Sequence, residues 1–130
     1  MFLTISINTR DRSEMIDITS KVEEELNKSG LKDGVCFVFV PHTTAGITIN
    51  ESADPSVVAD LQATFNKLVP WEGSYRHMEG NSAAHIKSSL IGSSVIVLVE
   101  SGHLKLGTWQ GIFFCEFDGP RSRKIHIKFQ

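Results

Sequence analysis

The sequence predicts an α+β fold, a β-sandwich of two sheets with two or three helices. Three observations carry that expectation: strand-like runs crowd both ends of the chain, two central segments show helical spacing behind recognisable caps, and turn residues separate the remainder. A length of 130 residues suits one domain over residues 1–130. With 41% hydrophobic and 22% charged residues the composition is globular, which excludes a disordered or collagen-like chain.

Each element has its own local reason. Leu3, Ile5 and Ile7 alternate with Thr4 and Ser6 as in a half-buried strand, and a polar turn runs from Asn8 to Ser13. Ser20 and Glu23 have capping-box spacing. Val22, Leu26 and Leu31 form an apolar edge, and Gly30 stands where a helix stops with a left-handed residue. The run Val35–Val40 is apolar throughout and reads as a strand covered on both faces, ended by Pro41. Ile47 and Ile49 alternate with Thr48 and Asn50 in the next strand. Asp54-Pro55 is a capped helix start, followed by Val57, Val58, Leu61, Phe65 and Leu68 at helical spacing. Trp71 to Gly80 has no period and reads as a long ordered loop. A short helix is expected from Asn81 or Ser82 to Leu90, stopped by Gly92. Further strands are expected at Ser94–Val99 and Ile112–Phe117, with a Ser101-Gly102 turn between them. In the last strand Ile125, Ile127 and Phe129 face in, while Lys124, His126 and Lys128 face out.

Thirteen basic against fifteen acidic side chains leave a net charge of -2, which argues against a nucleic-acid grip built on bulk positive charge. No stretch approaches the roughly 18 apolar residues of a membrane span. The opening residues turn polar at Asn8 to Arg12, unlike a signal peptide. Cys36 and Cys115 sit in apolar runs and read as buried free thiols in a reducing compartment. A soluble cytoplasmic protein that engages neither nucleic acid nor membrane is expected.

Candidate chemistry gathers at the ends of elements. Asn81 and His85 stand four apart and share one face of the short helix, whose free amides favour an anion. Ser82 and Lys87 add a hydroxyl and a charge. His77 can approach from the loop to pair with His85. Two readings stay open for Asn81, ligand contact or helix cap. His42, Thr43 and Thr44 place an imidazole and two hydroxyls after a strand, where a plain turn is the alternative. Glu51 and Asp54 offer hard oxygen ligands for a cation, although Asp54 also fits a cap. Thr108, Trp109 and Gln110 lie between two glycines, as pocket wall or as a β-bulge with a packed tryptophan. The run Arg121-Ser122-Arg123 suits a phosphate or a solvated hairpin tip.

The stretches Pro41–Gly46, Asn50–Pro55, Gly80–Lys87, Leu104–Gln110 and Glu116–Arg121 resemble, in order, the YjbQ family. The resemblance implies a β-sandwich with helices that assembles as a homotrimer, with polar clefts near subunit boundaries. It also implies secondary thiamine-phosphate synthase activity, joining an aminopyrimidine methyl diphosphate to a thiazole phosphate with release of pyrophosphate. For that chemistry the sequence offers His42, Asn81, His85 and Gln110 as catalytic candidates. Thr43, Thr44, Ser82, Lys87, Thr108, Trp109 and Arg121 are the candidates for holding the phosphorylated substrate. A divalent metal, Mg or Zn, would draw on Glu51 and Asp54, or instead on His42, His77 and His85. The alternative is a metal- or phosphate-ligand-binding protein whose synthase activity is incidental.

Overall fold

Two antiparallel sheets form in the computed structural model, which describes all of residues 1–130. In chain order the elements are β1 (Leu3–Asn8), β2 (Glu14–Asp17), α1 (Thr19–Ser29), β3 (Gly34–Phe39), β4 (Ala45–Glu51), α2 (Pro55–Leu68), α3 (Ser82–Ile91), β5 (Ser94–Glu100), β6 (His103–Leu104), β7 (Gln110–Glu116) and β8 (Ser122–Phe129). The larger sheet runs β1-β8-β3-β5-β6 and the smaller β2-β7-β4. This is the expected α+β sandwich. No helix is long and apolar enough to cross a membrane.

Strand β7 organises the interior because it is buried on both faces. Ile112 and Phe114 face the larger sheet and join Val38, Ile47, Ile125 and Ile127 in the main core, to which α1 adds Val22 and Leu26. Phe113 and Cys115 point the other way, and with Phe117 they meet Ala84 of α3 and the half-buried Val58 and Phe65 of α2. Such an unbroken apolar run is what a doubly covered strand requires. Cys36 and Cys115 are buried free thiols, and burial pushes both up to about 12.

Several local expectations change. Strand β2 escaped the pattern because its apolar residues, Met15 and Ile16, are adjacent rather than alternating. The Ser20–Glu23 capping box does not form. The cap of helix α1 lies two residues earlier, at Ile18, where Asp17 Oδ1 accepts the Thr19 amide at 2.9 Å, and Glu23 instead accepts the Leu104 amide at 3.2 Å. Within the chain β3 is covered on one face only, since Phe37 and Phe39 of its outer face are exposed. Trp109 is 63% exposed rather than packed, in a turn closed by the Gln110 amide to Gly107 O at 3.1 Å. The Asp54 cap on α2 and the left-handed Gly30 after α1 form as expected.

At one end of the sandwich the two sheets are joined by charge. Glu116 continues the inward register of Ile112 and Phe114, and Arg123 that of Ile125 and Ile127. Arg123 Nε donates to Glu116 Oε1 at 2.8 Å and Nη2 to Oε2 at 2.5 Å, with both side chains almost wholly buried. The carboxylate also accepts the Thr9 hydroxyl at 2.8 Å and the Phe117 and Asp118 amides at 3.0 Å each. A side chain on Gly119 would strike Thr9 Oγ1 and the Glu116 Cγ, at 2.8 and 2.9 Å, so the chain needs glycine there to pass. Burial pushes the Glu116 carboxyl up, yet the Arg123 guanidinium, the Asp118 amide and the Thr9 hydroxyl outweigh it and hold it below its ordinary value.

Removing one partner strands the other charge in the interior. Glu116→Ala is expected to cost about 3–5 kcal/mol in urea unfolding. A loss below about 1 kcal/mol would show that water already shares the pair.

Candidate functional site

The rim above this ion pair is a mainly polar hollow of about 350 Å³. Pro41 to Thr44, the link between β3 and β4, form one wall. Glu79, Asn81 and His85, from the long loop and the start of α3, form the second. Asp118, Arg121 and Arg123 close it from the β7–β8 turn. Three separate stretches therefore meet, each held at the end of a strand or helix, where backbone is rigid but side chains stay accessible.

Arg123 is the floor. Nε and Nη2 are spent on Glu116, and Nη2 also meets Thr44 Oγ1 at 2.8 Å and Thr44 O at 3.2 Å, while Nη1 has no partner within the chain. A guanidinium immobilised on one edge and free on the other is a prepaid anion contact. Arg121 donates through Nε to Asp118 O at 2.9 Å and through Nη2 to Asp118 Oδ2 at 3.1 Å. The same Oδ2 accepts Asn81 Nδ2 at 2.8 Å. Because that oxygen is a carboxylate acceptor, the Asn81 amide is oriented, and its Oδ1 is left buried with no donor.

His42 has a defined proton as well. The Lys124 amide donates to Nε2 at 2.9 Å, so in the neutral ring the proton resides on Nδ1. Burial, then the Arg123 guanidinium, hold His42 below its ordinary value of 6.5. It is a neutral hydrogen-bond donor at pH 7, and its Nε2 lone pair is already occupied. His85 is common to this hollow and to two neighbours, one of about 490 Å³ shared with His42 and Ser88 and one of about 480 Å³ shared with His77 and Ser82. The His77 and His85 rings stand edge to face with centroids 5.2 Å apart, and His77 Nε2 lies 3.7 Å from Glu79 Oε2.

The structure thus brings together His42, Thr43, Thr44, Asn81, His85 and Arg121, with His77 and Ser82 adjoining through His85. Other candidates lie elsewhere. Lys87 is buried two residues from His85, on the opposite side of α3, and donates to Asn66 Oδ1 at 2.6 Å; burial and then Arg12 lower its ordinary value. Glu51, Asp54, Thr108, Trp109 and Gln110 gather at the far end of the smaller sheet, where Glu51 pairs with Gln110 and Ala45 with Glu116 six residues away. At about 3.3 Å per residue this separates the two groups by about 20 Å. There Asp54 Oδ1 accepts the Ser56 amide at 2.9 Å, Glu51 Oε2 the Ala53 amide at 3.1 Å and Gln110 Oε1 the Gly107 amide at 2.8 Å. Those polar groups serve local turns and caps. The five residues read as metal ligands do not converge, and nowhere do three His, Cys, Asp or Glu side chains form a metal-binding group. Within one chain the donor set does not fit a resident divalent metal.

Glu116 and Asp118 carry no expectation as site residues in the sequence, and Arg123 figures there only within the Arg121-Ser122-Arg123 run, as a phosphate contact or a hairpin tip. Arg123 nevertheless had a signal, because a charge occupied the inward parity of the last strand, in step with Ile125 and Ile127. Glu116 gave a weaker one, a carboxylate in an apolar run.

Fold and site define a small antiparallel α+β sandwich with a histidine- and arginine-walled hollow at one end. The chain belongs to the family described as UPF0047 protein YjbQ-like, whose model matches residues 3–130. UPF0047 protein YugU of Bacillus subtilis is 57% identical over 129 residues, 98% of each chain. UPF0047 protein YjbQ of Salmonella typhimurium is 39% identical over 127 residues, 91% of this chain and 90% of that one. A crystal structure of a conserved YjbQ/UPF0047 family protein from Clostridium acetobutylicum superposes with a TM-score of 0.96 at 53% identity, covering 98% of this chain and 99% of that one.

The His42 proton can be checked directly by nitrogen-resolved NMR, which should find an Nδ1–H tautomer and a neutral ring at pH 7. The sign of the pH effect follows. As pH falls below 6.5 the unfolded chain takes up a proton that folded His42 refuses, so this group lowers stability from there down to its folded value. His42→Asn should flatten that part of the stability profile; an Nε2–H tautomer would contradict the assignment.

Proposed function

We propose that the hollow binds the phosphate group of a small phosphorylated substrate and that the chain is a thiamine-phosphate synthase of the secondary kind. The observation that carries the phosphate half is Arg123, a buried guanidinium with one free corner at the floor of a polar hollow. Arg121, the Thr43 hydroxyl and the Nδ1–H of His42 supply further donors around it. The transfer half rests on the family resemblance. In that reaction the thiazole nitrogen donates its electron pair to the methylene carbon of the aminopyrimidine. The carbon–oxygen bond to the diphosphate breaks, and its electron pair leaves with pyrophosphate. The protein's part is to orient both rings and stabilise charge on the departing oxygens.

A second reading, a phosphate-ligand-binding protein with incidental turnover, is favoured by the position of Lys87. With that amine on the far side of α3, the hollow offers two arginines and no lysine to a leaving diphosphate.

The resemblance also implies a homotrimer, and one surface supports assembly with further copies of this chain. Phe2, Phe37, Phe39, Ile96 and Leu98 are exposed on the larger sheet, where Phe37 and Ile96 are paired neighbours on β3 and β5. Phe2, Phe37 and Phe39 line an apolar groove of about 270 Å³. Strands this apolar on both faces call for cover on both.

Purified protein supplied with the two phosphorylated precursors and Mg²⁺ should form product, and the Asn81→Ala, His85→Ala double variant should abolish it while remaining folded. Wild-type turnover equal to a buffer blank, with phosphate still bound, would select the binding reading. For assembly, light scattering should give three times the chain mass, and Phe39→Lys with Ile96→Lys should lower it to one; a single-chain mass for the wild type would remove the trimer.

A further inference from the structure

Beside the hollow lies the second compartment, of about 490 Å³, and His42, Thr43 and His85 line both, so these three side chains lie along a common border. The two spaces differ in chemistry. Arginines and carboxylates wall the hollow, whereas no Asp, Glu, Lys or Arg lines the compartment, and Ala45 is its one apolar side chain. Ser88, Ser89 and Ser93 line it instead. Ser89 and Ser93 are exposed, and Ser89 Oγ donates to His85 O at 3.0 Å, which leaves that oxygen as an acceptor. The backbone that carries these serines is pinned. Gly92 N donates to Ser88 O at 2.9 Å, Gly92 O accepts the Ile47 amide at 3.0 Å, and Ser93 O accepts the Val40 amide at 2.8 Å. The end of α3 is thereby tied to β4 and to the residue after β3, so the compartment is formed before any ligand arrives.

We propose that this compartment is the second half of a two-part site and seats the uncharged, hydrogen-bonding body of a phosphate monoester whose phosphate occupies the hollow. The inference rests on the reading of the hollow as a phosphate site and adds the class of molecule attached to the phosphate. A body bearing hydroxyl or amine groups gains hydrogen bonds along the serines, and the pinned backbone reduces what is lost in ordering them. An alkyl body finds almost no apolar surface to bury and gains little. A charged body meets no fixed counter-charge among the lining side chains. Of the two rings in the proposed reaction, the aminopyrimidine, with its exocyclic amine and ring nitrogens, fits this description better than the thiazole.

Three probes test this by calorimetric titration at pH 7 and fixed ionic strength: inorganic phosphate, glycerol phosphate, and propyl phosphate, which has the same carbon chain without the hydroxyls. Glycerol phosphate should bind about tenfold more tightly than propyl phosphate, the worth of two ordinary hydrogen bonds. The Ser89→Leu, Ser93→Leu double variant changes two exposed side chains and should reduce that ratio to about twofold or less, with inorganic phosphate bound as before. Should it fail to fold, the Ser89→Ala, Ser93→Ala double variant removes the same hydroxyls without added bulk and should lower the ratio as well. Equal wild-type affinities for the two esters, with inorganic phosphate still bound, would overturn the inference and leave the phosphate site intact. A preference for glycerol phosphate that survives the substitutions would overturn the placement of the body in this compartment. Binding of none of the three probes would instead remove the phosphate site, and the inference with it.

Discussion

The contact between Glu116 and Arg123 holds the functional end of this molecule together. Elsewhere the two sheets meet through apolar side chains, which tolerate sliding and repacking. At this end a carboxylate with five donors and a guanidinium spent on its inner edge leave little freedom. Three connections depend on that pair: β1 through Thr9, the β3–β4 link through Thr44, and the β7–β8 turn through the Asp118 amide. The last two of those connections supply two walls and the floor of the hollow. Burying such a pair gains little net stability, because desolvation offsets much of the attraction. Its consequence here is positional: the free edge of Arg123 cannot wander.

Helix α3 supplies the third wall and divides its polar residues by their angle around the axis. His85 looks into the hollow, with His77 packed against its ring. Lys87, two positions on and about 200° around at 3.6 residues per turn, turns inward toward Asn66 and Arg12. The division explains why a segment that reads as a single cluster of ligands in sequence behaves as two. One face lines the hollow, and the other anchors the helix to α2.

Residues at opposite ends of a strand face a similar fate. Gln110 and Glu116 bound the same strand, β7, and the register with β4 places Glu51 with one and Ala45 with the other. A seven-residue strand is long enough to set its two ends out of contact. The carboxylates and amide at the far end close turns and caps, where short polar side chains compete well for backbone amides. Of the metal ligands read from residue types, the carboxylates Glu51 and Asp54 lie at that far end and the histidines His42, His77 and His85 at the other, so the strand keeps the two sets apart.

Periodicity and punctuation determined most of the architecture by themselves. The alternation in Leu3–Ile7, the capped start at Asp54-Pro55, the left-handed Gly30 and the inward set of Ile125 and Ile127 all reappear as built, because each depends on neighbours within a few residues. Of the site, His42, Thr43, Asn81, His85 and Arg121 were legible as polar groups at the ends of elements. Arg123 was written in the parity of β8 but read as part of a turn. What only the tertiary structure decided was which of these polar groups share a space, and which proton or lone pair each has left over. Lys124 sets the tautomer of His42 from 82 residues away, and Asp118 orients the Asn81 amide across 37. Hydrogen bonds between residues so far apart in sequence leave no periodic trace in it, so the chemistry of the hollow emerges only when the two sheets close.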